Sequence, residues 1–265
     1  MTKNKYSVYT VNFDKARLLL ATDIHNCQFD WYDMKTEDRM ELFTKSLIDE
    51  YERKPYDAIV TLGDYSLDFW AWNEGGSYLW ETPVSRTDEF IKKYVSRMPT
   101  DFYMIPGNHE QYGNEIWQKI VGTPREYVIE YGEYVFVMLD TFAGELDPKR
   151  HHDGIYTGIN TEFLSSVLCD YKDKKVILCA HDISIAEESD AARNLILENK
   201  NVICAFTGHT HRDNASILPI SWRSLPVFYC GDFSSSSKES GERNWGYRLL
   251  DVSSDAILTE YVRIK

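Results

Sequence analysis

Disulfides, membrane spans and basic tracts are all missing from this chain, and each absence removes a class of protein. Cysteine is scarce: Cys27, Cys169, Cys179, Cys204 and Cys230 are an odd number among 265 residues and form no CxxC pair. Cys179 and Cys204 lie in apolar, strand-like runs, where a thiol behaves as a small hydrophobe. All five are read as reduced, which argues against a disulfide-stapled fold and favours a cytoplasmic setting. No apolar stretch approaches the ~20 residues of a membrane span. Residues 1–14 alternate polar and apolar side chains and lack a signal-peptide core. Basic side chains are outnumbered, 29 against 42 acidic ones, leaving a net charge of -13. Such a surface repels a phosphate backbone and no Lys/Arg-rich run offers a channel, which argues against nucleic acid as the partner. There is no internal repeat and no low-complexity linker. The serine run at 234–237 is too short to divide domains, so one domain over residues 1–265 is expected.

What remains is a soluble composition, 43% hydrophobic and 27% charged, long enough to bury a sizeable core. Strands are expected at 16–22, 58–62, 102–105, 134–139, 176–180, 202–207, 227–230, 247–252 and 257–264. Most are continuous apolar runs, as in sheets covered on both faces. Helical patterns fall at 37–53 (Thr36 as N-cap, Pro55 beyond the end), 88–98 (capped by Thr87, stopped by Pro99), 114–121, 161–171 and 190–199. The order is β-α-β-α-β-α first, with strands dominating after about residue 200. Two packed sheets flanked by helices fit this better than one doubly wound sheet.

Five short polar clusters stand at the ends of apolar runs. They are Asp23-Ile24-His25, Gly63-Asp64, Gly107-Asn108-His109-Glu110, Ala180-His181-Asp182 and Gly208-His209-Thr210-His211. Only seven histidines occur, and five of them sit here. Asp, His and Asn are ligands for divalent metals of intermediate hardness, and strand ends can bring them to one place. Two ions held roughly 3.5–4 Å apart can clamp a phosphoryl group and lower the pKa of a bound water towards about 7, giving hydroxide for attack on phosphorus. A histidine near the metals but not ligating them would serve the leaving oxygen.

The ordered set DxH, GD, GNHE, H and GHTH resembles the calcineurin-like metallophosphoesterase superfamily, over residues 23–211 and with fitting strand content on either side. The resemblance implies an α/β (α+β) fold, a four-layer αββα sandwich of two mixed β-sheets flanked by helices. It implies two divalent ions, among Mn, Fe, Zn, Co or Ni, since no cysteine takes part. Asp23, His25 and His211 would bind the first ion, Asn108, His181 and His209 the second, and Asp64 would bridge them. His109 would stay off the metals and stabilise the transition state or protonate the leaving group. The implied activity is hydrolysis of phosphomonoesters or phosphodiesters of small molecules. A non-catalytic metal-binding module of the same fold and a nuclease are the alternatives; the complete ligand set opposes the first, and the acidic charge the second.

Departures from the family narrow the reading. In Gly63-Asp64-Tyr65-Ser66-Leu67-Asp68, Leu67 occupies the place of the second aspartate of the protein-phosphatase GDxxDRG motif, which supports the catalytic histidine there. Asp68, one residue on, is a possible substitute. Leu67 and His25 also argue against the purple acid phosphatases, whose motif is GDxxY and which lack the DxH histidine. The pattern is most similar to bacterial cyclic-nucleotide phosphodiesterase and small-molecule phosphoesterase branches.

Other residues allow two readings. Gly63, Gly107 and Gly208 read as turn glycines with positive φ that present the ligands. Glu110 and Asp182 adjoin ligands and would orient them or cap a local turn. Asn26 would reach a phosphate oxygen or close a turn. His151 and His152 read as surface or satisfied core histidines, with substrate contact as the alternative. Phe69, Trp70, Trp72, Tyr78 and Trp80, around Gly75-Gly76, form a core or dimer contact or a stacking wall for a ring.

Overall fold

The computed structural model describes residues 5–68, 85–144, 146, 151, 153–184, 187–217, 224–234 and 243–264. Twelve strands and five helices are seen among them. In chain order they are β1 (Val8–Thr10), β2 (Arg17–Ala21), α1 (Thr36–Arg53), β3 (Ala58–Thr61), α2 (Arg86–Lys93), β4 (Asp101–Met104) and α3 (Asn114–Val121). There follow β5 (Tyr127–Tyr131), β6 (Tyr134–Leu139), α4 (Thr161–Asp170), β7 (Lys175–Ala180), α5 (Asp190–Glu198) and β8 (Val202–Thr207). The last four are β9 (Ala215–Ile217), β10 (Pro226–Tyr229), β11 (Gly246–Val252) and β12 (Ile257–Arg263). The aromatic segment from Phe69 to Trp80, with His152, lies outside the described residues.

The strands form a seven-stranded sheet, β1-β5-β6-β7-β8-β10-β9, and a five-stranded sheet, β12-β11-β2-β3-β4. Both sheets are mixed. β6, β7, β8 and β10 run parallel in the first, and β2, β3 and β4 in the second. Side-chain alternation explains why two sheets stack. Along β2, Leu18 and Leu20 enter the layer between the sheets, where they join Phe136, Met138, Ile177 and Phe206 of the other sheet. Leu19 and Ala21 face the opposite way, towards Met40, Phe43 and Leu47 of α1. Along β6, Val135, Val137 and Leu139 face Leu164 and Val167 of α4 and Ala192 and Ile196 of α5. The result is the four-layer αββα order expected from the sequence, with the continuous apolar runs buried on both faces.

Helix α1 shows the energetics. Met40, Phe43 and Leu47 recur at helical spacing and are wholly buried. Each contributes about 1.5–3 kcal/mol on burial, and Phe43→Ala would cost about 3–5 kcal/mol.

Two caps differ from the sequence expectation. Lys35, not Thr36, holds the N-cap position of α1, and Thr36 Oγ1 donates to the Phe29 carbonyl at 2.7 Å. Ser85, not Thr87, caps α2 by accepting the Asp88 N–H at 3.2 Å, while Thr87 donates to Ser66 Oγ. Helix α2 is also shorter than 88–98, because a 3-10 turn (Val95–Arg97) intervenes before Pro99. Strands β1, β5 and β9 had no counterpart in the pattern reading.

The parallel strands aim their C-terminal ends at one edge of the sandwich. Ligands collect at such ends, where chains leave a sheet and side chains escape the packed layer.

Candidate metal centre

The five clusters follow β2, β3, β4, β7 and β8, so topology alone carries them to the same edge. Local backbone then turns their side chains inward. Nine non-glycine residues among those described have positive φ, and Asp23, His25, Asp64, His209 and His211 are five of them. That conformation costs an ordinary residue on the order of 1–3 kcal/mol, so strain is concentrated where the side chains converge.

The glycines act differently from expectation. Gly63 alone of the three has positive φ, at 95°. Gly107 and Gly208 are needed for close approach instead. A Cβ on Gly107 would stand 2.1 Å from Asp64 Oδ1, and one on Gly208 would stand 2.0 Å from Thr22 Oγ1.

Seven side chains form one constellation, almost wholly buried. Asp64 is its centre: Oδ2 lies 3.3 Å from His25 Nε2 and 3.1 Å from His181 Nε2, and Oδ1 accepts the His109 backbone N–H at 3.1 Å. On one side, Asp23 Oδ1 faces His211 Nε2 at 3.1 Å and His25 Nε2 at 3.9 Å. On the other, Asn108 Oδ1 lies 2.9 Å from His181 Nε2 and 3.0 Å from His209 Nδ1. Donor atoms of Asp23, His25 and His211 fall within 4.8 Å of one another, and so do those of Asp64, His181 and His209. His25, Asp64 and His109 make a third such group.

These donors fit divalent cations. His181 Nδ1 faces the Leu62 carbonyl at 2.6 Å and so carries a proton there. In the neutral ring Nε2 then presents a lone pair, aimed at two acceptor oxygens, Asp64 Oδ2 and Asn108 Oδ1. Lone pairs that face one another repel unless a proton or a cation lies between them. The set is all nitrogen and oxygen, suited to Mn, Fe, Zn, Co or Ni.

The buried carboxylates and imidazoles of the cluster shift one another's protonation. Burial alone would raise Asp23, yet His211 and His181 hold it down at about 2. Asp64, also against its burial, is held well below the carboxylate range by His181 and His109. His181 goes the other way: burial lowers it, but Asp64 and Asp23 bring it up to about 10. Burial dominates at His109, which is pushed down to about 3.

The surroundings assign several open residues. Glu110 caps the turn at Asp64, accepting from the backbone N–H groups of Asp64, Tyr65, Ser66 and Gly107. Asp182 offers its carbonyl to Thr141 Oγ1. Asn26 points away, donating to the Arg86 carbonyl at 2.9 Å. Asp68 does not take the place of the missing aspartate beside His109. It accepts from Ser85 Oγ, Tyr112 Oη and the Arg86 N–H, which ties the loop after β3 to α2. The carboxylate nearest His109 from outside the clusters is Asp153, with Oδ1 3.8 Å from Nε2. Its carbonyl accepts from Asn108 Nδ2 at 3.2 Å, and Gln111 Nε2 donates to the His151 carbonyl at 2.6 Å.

A cavity of about 450 Å³ opens over the constellation. His25, Asp64, Asn108, His109, His209 and His211 form its floor, and Phe29, Trp31, Leu67 and Asp153 its walls. Trp31 is held by a two-residue turn, in which it exchanges backbone hydrogen bonds with Met34 while Tyr32 and Asp33 adopt positive φ. The Arg39 guanidinium lies 4.6 Å from its ring centroid.

Sequence reasoning missed three contributors here: Asp232, Arg39 and the Phe29–Trp31 wall. Asp232 Oδ2 stands 3.1 Å from His211 Nδ1. Arg39, wholly buried, donates to the carbonyls of Ile24, His25 and Phe233.

A double sandwich with nitrogen and oxygen donors gathered at the ends of its parallel strands defines a class of metal-binding phosphoesterase folds. The chain belongs to the calcineurin-like phosphoesterase family, whose model matches residues 16–213. No curated protein matches the chain in sequence. Among solved structures, a purple acid phosphatase from yellow lupin (Lupinus luteus) seeds is similar with a TM-score of 0.61 at 15% identity, over 93% of this chain and 51% of that one. The chain thus spans about half the length of the lupin protein. GAP50, the anchor in the inner membrane complex of Plasmodium, gives a TM-score of 0.55 at 15% identity, over 93% of this chain and 84% of that one. Likeness at such identity is a likeness of fold. No helix among the described residues is long and apolar enough to cross a membrane.

Proposed function

We propose that this chain is a dinuclear metal-dependent phosphoesterase acting on phosphomonoesters or phosphodiesters of small molecules. The observation that carries the reading is the position of Asp64 Oδ2, 3.3 Å from His25 Nε2 and 3.1 Å from His181 Nε2, between two groups of donors. Asp23, His25 and His211 would hold one ion, Asn108, His181 and His209 the other, and Asp64 both. Bound ions of this kind supply Lewis-acid polarisation of the phosphoryl group and acidification of water.

The protein's own groups do the rest. His109 keeps its ring at the cavity floor because its backbone N–H is fixed on Asp64 Oδ1. From there its Nε2 can stabilise the charge that develops on the departing oxygen or pass it a proton. Glu110 holds the turn that aims Asp64. Phe29, Trp31 and Leu67 give the organic part of the ester an apolar wall and exclude water beside the phosphorus.

GAP50, of similar fold, is named as an anchor, so the choice between enzyme and module rests on the residues of the site. Retention of all seven donors and His109 supports the enzyme over a non-catalytic module. The acidic net charge supports a small substrate over a nucleic acid. Buried free thiols at Cys27, Cys179, Cys204 and Cys230 support a reducing, cytoplasmic setting, and we treat residues 1–265 as one domain.

Purified protein is expected to carry close to two divalent ions and to hydrolyse aryl phosphate monoesters or diesters. Asp64→Asn should lose metal and activity together. A metal-loaded protein inert towards a broad phosphoester panel would overturn the reading, and cleavage of DNA or RNA with steep salt dependence would move it to a nuclease.

A further inference from the structure

Among the described residues, the group behind the ring of one clustered histidine is neutral, and the group behind another is a carboxylate. His181 Nδ1 meets the Leu62 carbonyl at 2.6 Å. His211 Nδ1 meets Asp232 Oδ2 at 3.1 Å, while its Nε2 faces Asp23 Oδ1 at 3.1 Å. Asp232 follows β10 and is wholly buried. A carboxylate taken fully out of water costs several kcal/mol unless it gains a partner.

The backbone around Asp232 is tied to the metal-facing loops. Its carbonyl accepts the Gly246 N–H at 3.1 Å, and the Phe233 N–H donates to the Asp23 carbonyl at 3.0 Å. Arg39 clamps the same junction, donating to the carbonyls of Phe233, Ile24 and His25. The Asp232 carboxylate is therefore set at a fixed distance from Asp23 and His25 as well as from His211.

We infer that Asp232 is a positioning residue for the ion held by Asp23, His25 and His211. It keeps the proton of His211 on Nδ1, so that Nε2 presents its lone pair beside Asp23, and its charge strengthens that nitrogen as a donor. Carboxylates behind ligating imidazoles act in this way, and losing one weakens metal binding by about 10–100-fold. Among the described residues no carboxylate stands behind the His181 ring, whose Nδ1 meets the Leu62 carbonyl, so the two ions would be held unequally. This inference rests on the metal-binding reading of the site.

The test is Mn²⁺ titration of apo wild type, Asp232→Asn, Asp232→Ala and His211→Ala, with free ion and spin coupling followed by electron paramagnetic resonance. Apo-protein unfolding is measured in parallel. Wild type is expected to bind two ions with a spin-coupled signal. Asp232→Asn keeps an acceptor oxygen and loses the charge, so one ion should weaken by about tenfold. Asp232→Ala loses both, and the same ion should weaken by about 100-fold. That ion should be the one lost in His211→Ala, with the other unchanged and the coupled signal replaced by a mononuclear one. Excess Mn²⁺ should restore the coupled signal in Asp232→Asn. Two ions bound as in wild type by both Asp232 variants would overturn this role and leave the metal site standing. Equal weakening of both ions in Asp232→Asn, at unchanged apo stability, would also overturn it. Wild type that takes up no Mn²⁺ would instead sink the metal reading itself.

Discussion

Glu110 closes the turn that carries Asp64: its Oε2 accepts the Asp64 N–H at 2.7 Å and the Gly107 N–H at 2.9 Å, and its Oε1 accepts from Tyr65 and Ser66. Four buried backbone donors thus end on one side chain, which is itself wholly buried. Stranding a buried N–H costs about 1–3 kcal/mol. Glu110→Ala is therefore expected to destabilise the apo protein by more than about 3 kcal/mol and to weaken metal binding by freeing Asp64. Glu110→Gln keeps one acceptor oxygen and should fall between. Urea unfolding of the three proteins gives the order, and an alanine variant as stable as wild type would remove the capping role.

That bond shows where the sequence was readable and where it was not. The metal-type clusters were legible because each ends an apolar run, and β2, β3, β4, β7 and β8 did deliver them to one edge. β6 and α3 were legible to the residue, β6 as an unbroken apolar run after the Gly132-Glu133 turn and α3 as an amphipathic run closed by Gly122. β5 was missed although four of its five residues are buried, because Glu130 breaks its short apolar run just before the Gly132-Glu133 turn into β6. β1 and β9 are three residues long, too short for any period. Asp232 and Arg39 were illegible for another reason. Each acts through a group far away in sequence, and Arg39 looks like a solvent residue of α1 until Ile24, His25 and Phe233 surround it.

His109 faces the cavity, yet no position in the proposed ligand set depends on it. His109→Ala is expected to keep close to two ions while kcat falls by about 10²–10⁴-fold on an alkyl phosphate ester. A nitrophenyl leaving group needs little protonation, so the loss there should be smaller. Equal losses on both esters would move His109 out of the general-acid role, and loss of one ion would move it into the ligand set.

Phe29 and Trp31 stand on a loop with little freedom to adapt. Trp31 is pinned by its backbone exchange with Met34 and by the Arg39 guanidinium 4.6 Å from its ring. An apolar substituent on the substrate should gain about 1–2 kcal/mol against this wall. Trp31→Ala is expected to raise KM for a naphthyl phosphoester by about tenfold and to leave KM for a methyl ester nearly unchanged. Because the wall binds ground and transition states alike, kcat should change little in either case. A uniform loss across both esters would mean that the mutation disturbs Arg39 and the loops it ties, and not a binding wall.

Away from the candidate metal centre, Glu126 gives the chain a pH dependence with a definite sign. It precedes β5, and its Oε2 accepts from Asn160 Nδ2 at 2.8 Å. Burial, only partly offset by that bond, pushes it from 4.5 up to about 7. The folded state therefore holds a proton on Glu126 over a range where the unfolded chain has lost it. Since the proton favours the folded form, this contribution is full below about pH 4.5, declines as pH rises, and is gone above about pH 7. Glu126→Gln cannot ionise and keeps its acceptor oxygen for Asn160. It should match wild type near pH 4.5 and exceed it at pH 8, on the order of 2 kcal/mol after allowance for partial exposure. Urea unfolding of the two proteins across this range is the measurement. Parallel curves would show that Glu126 ionises in the folded protein as freely as in the unfolded chain.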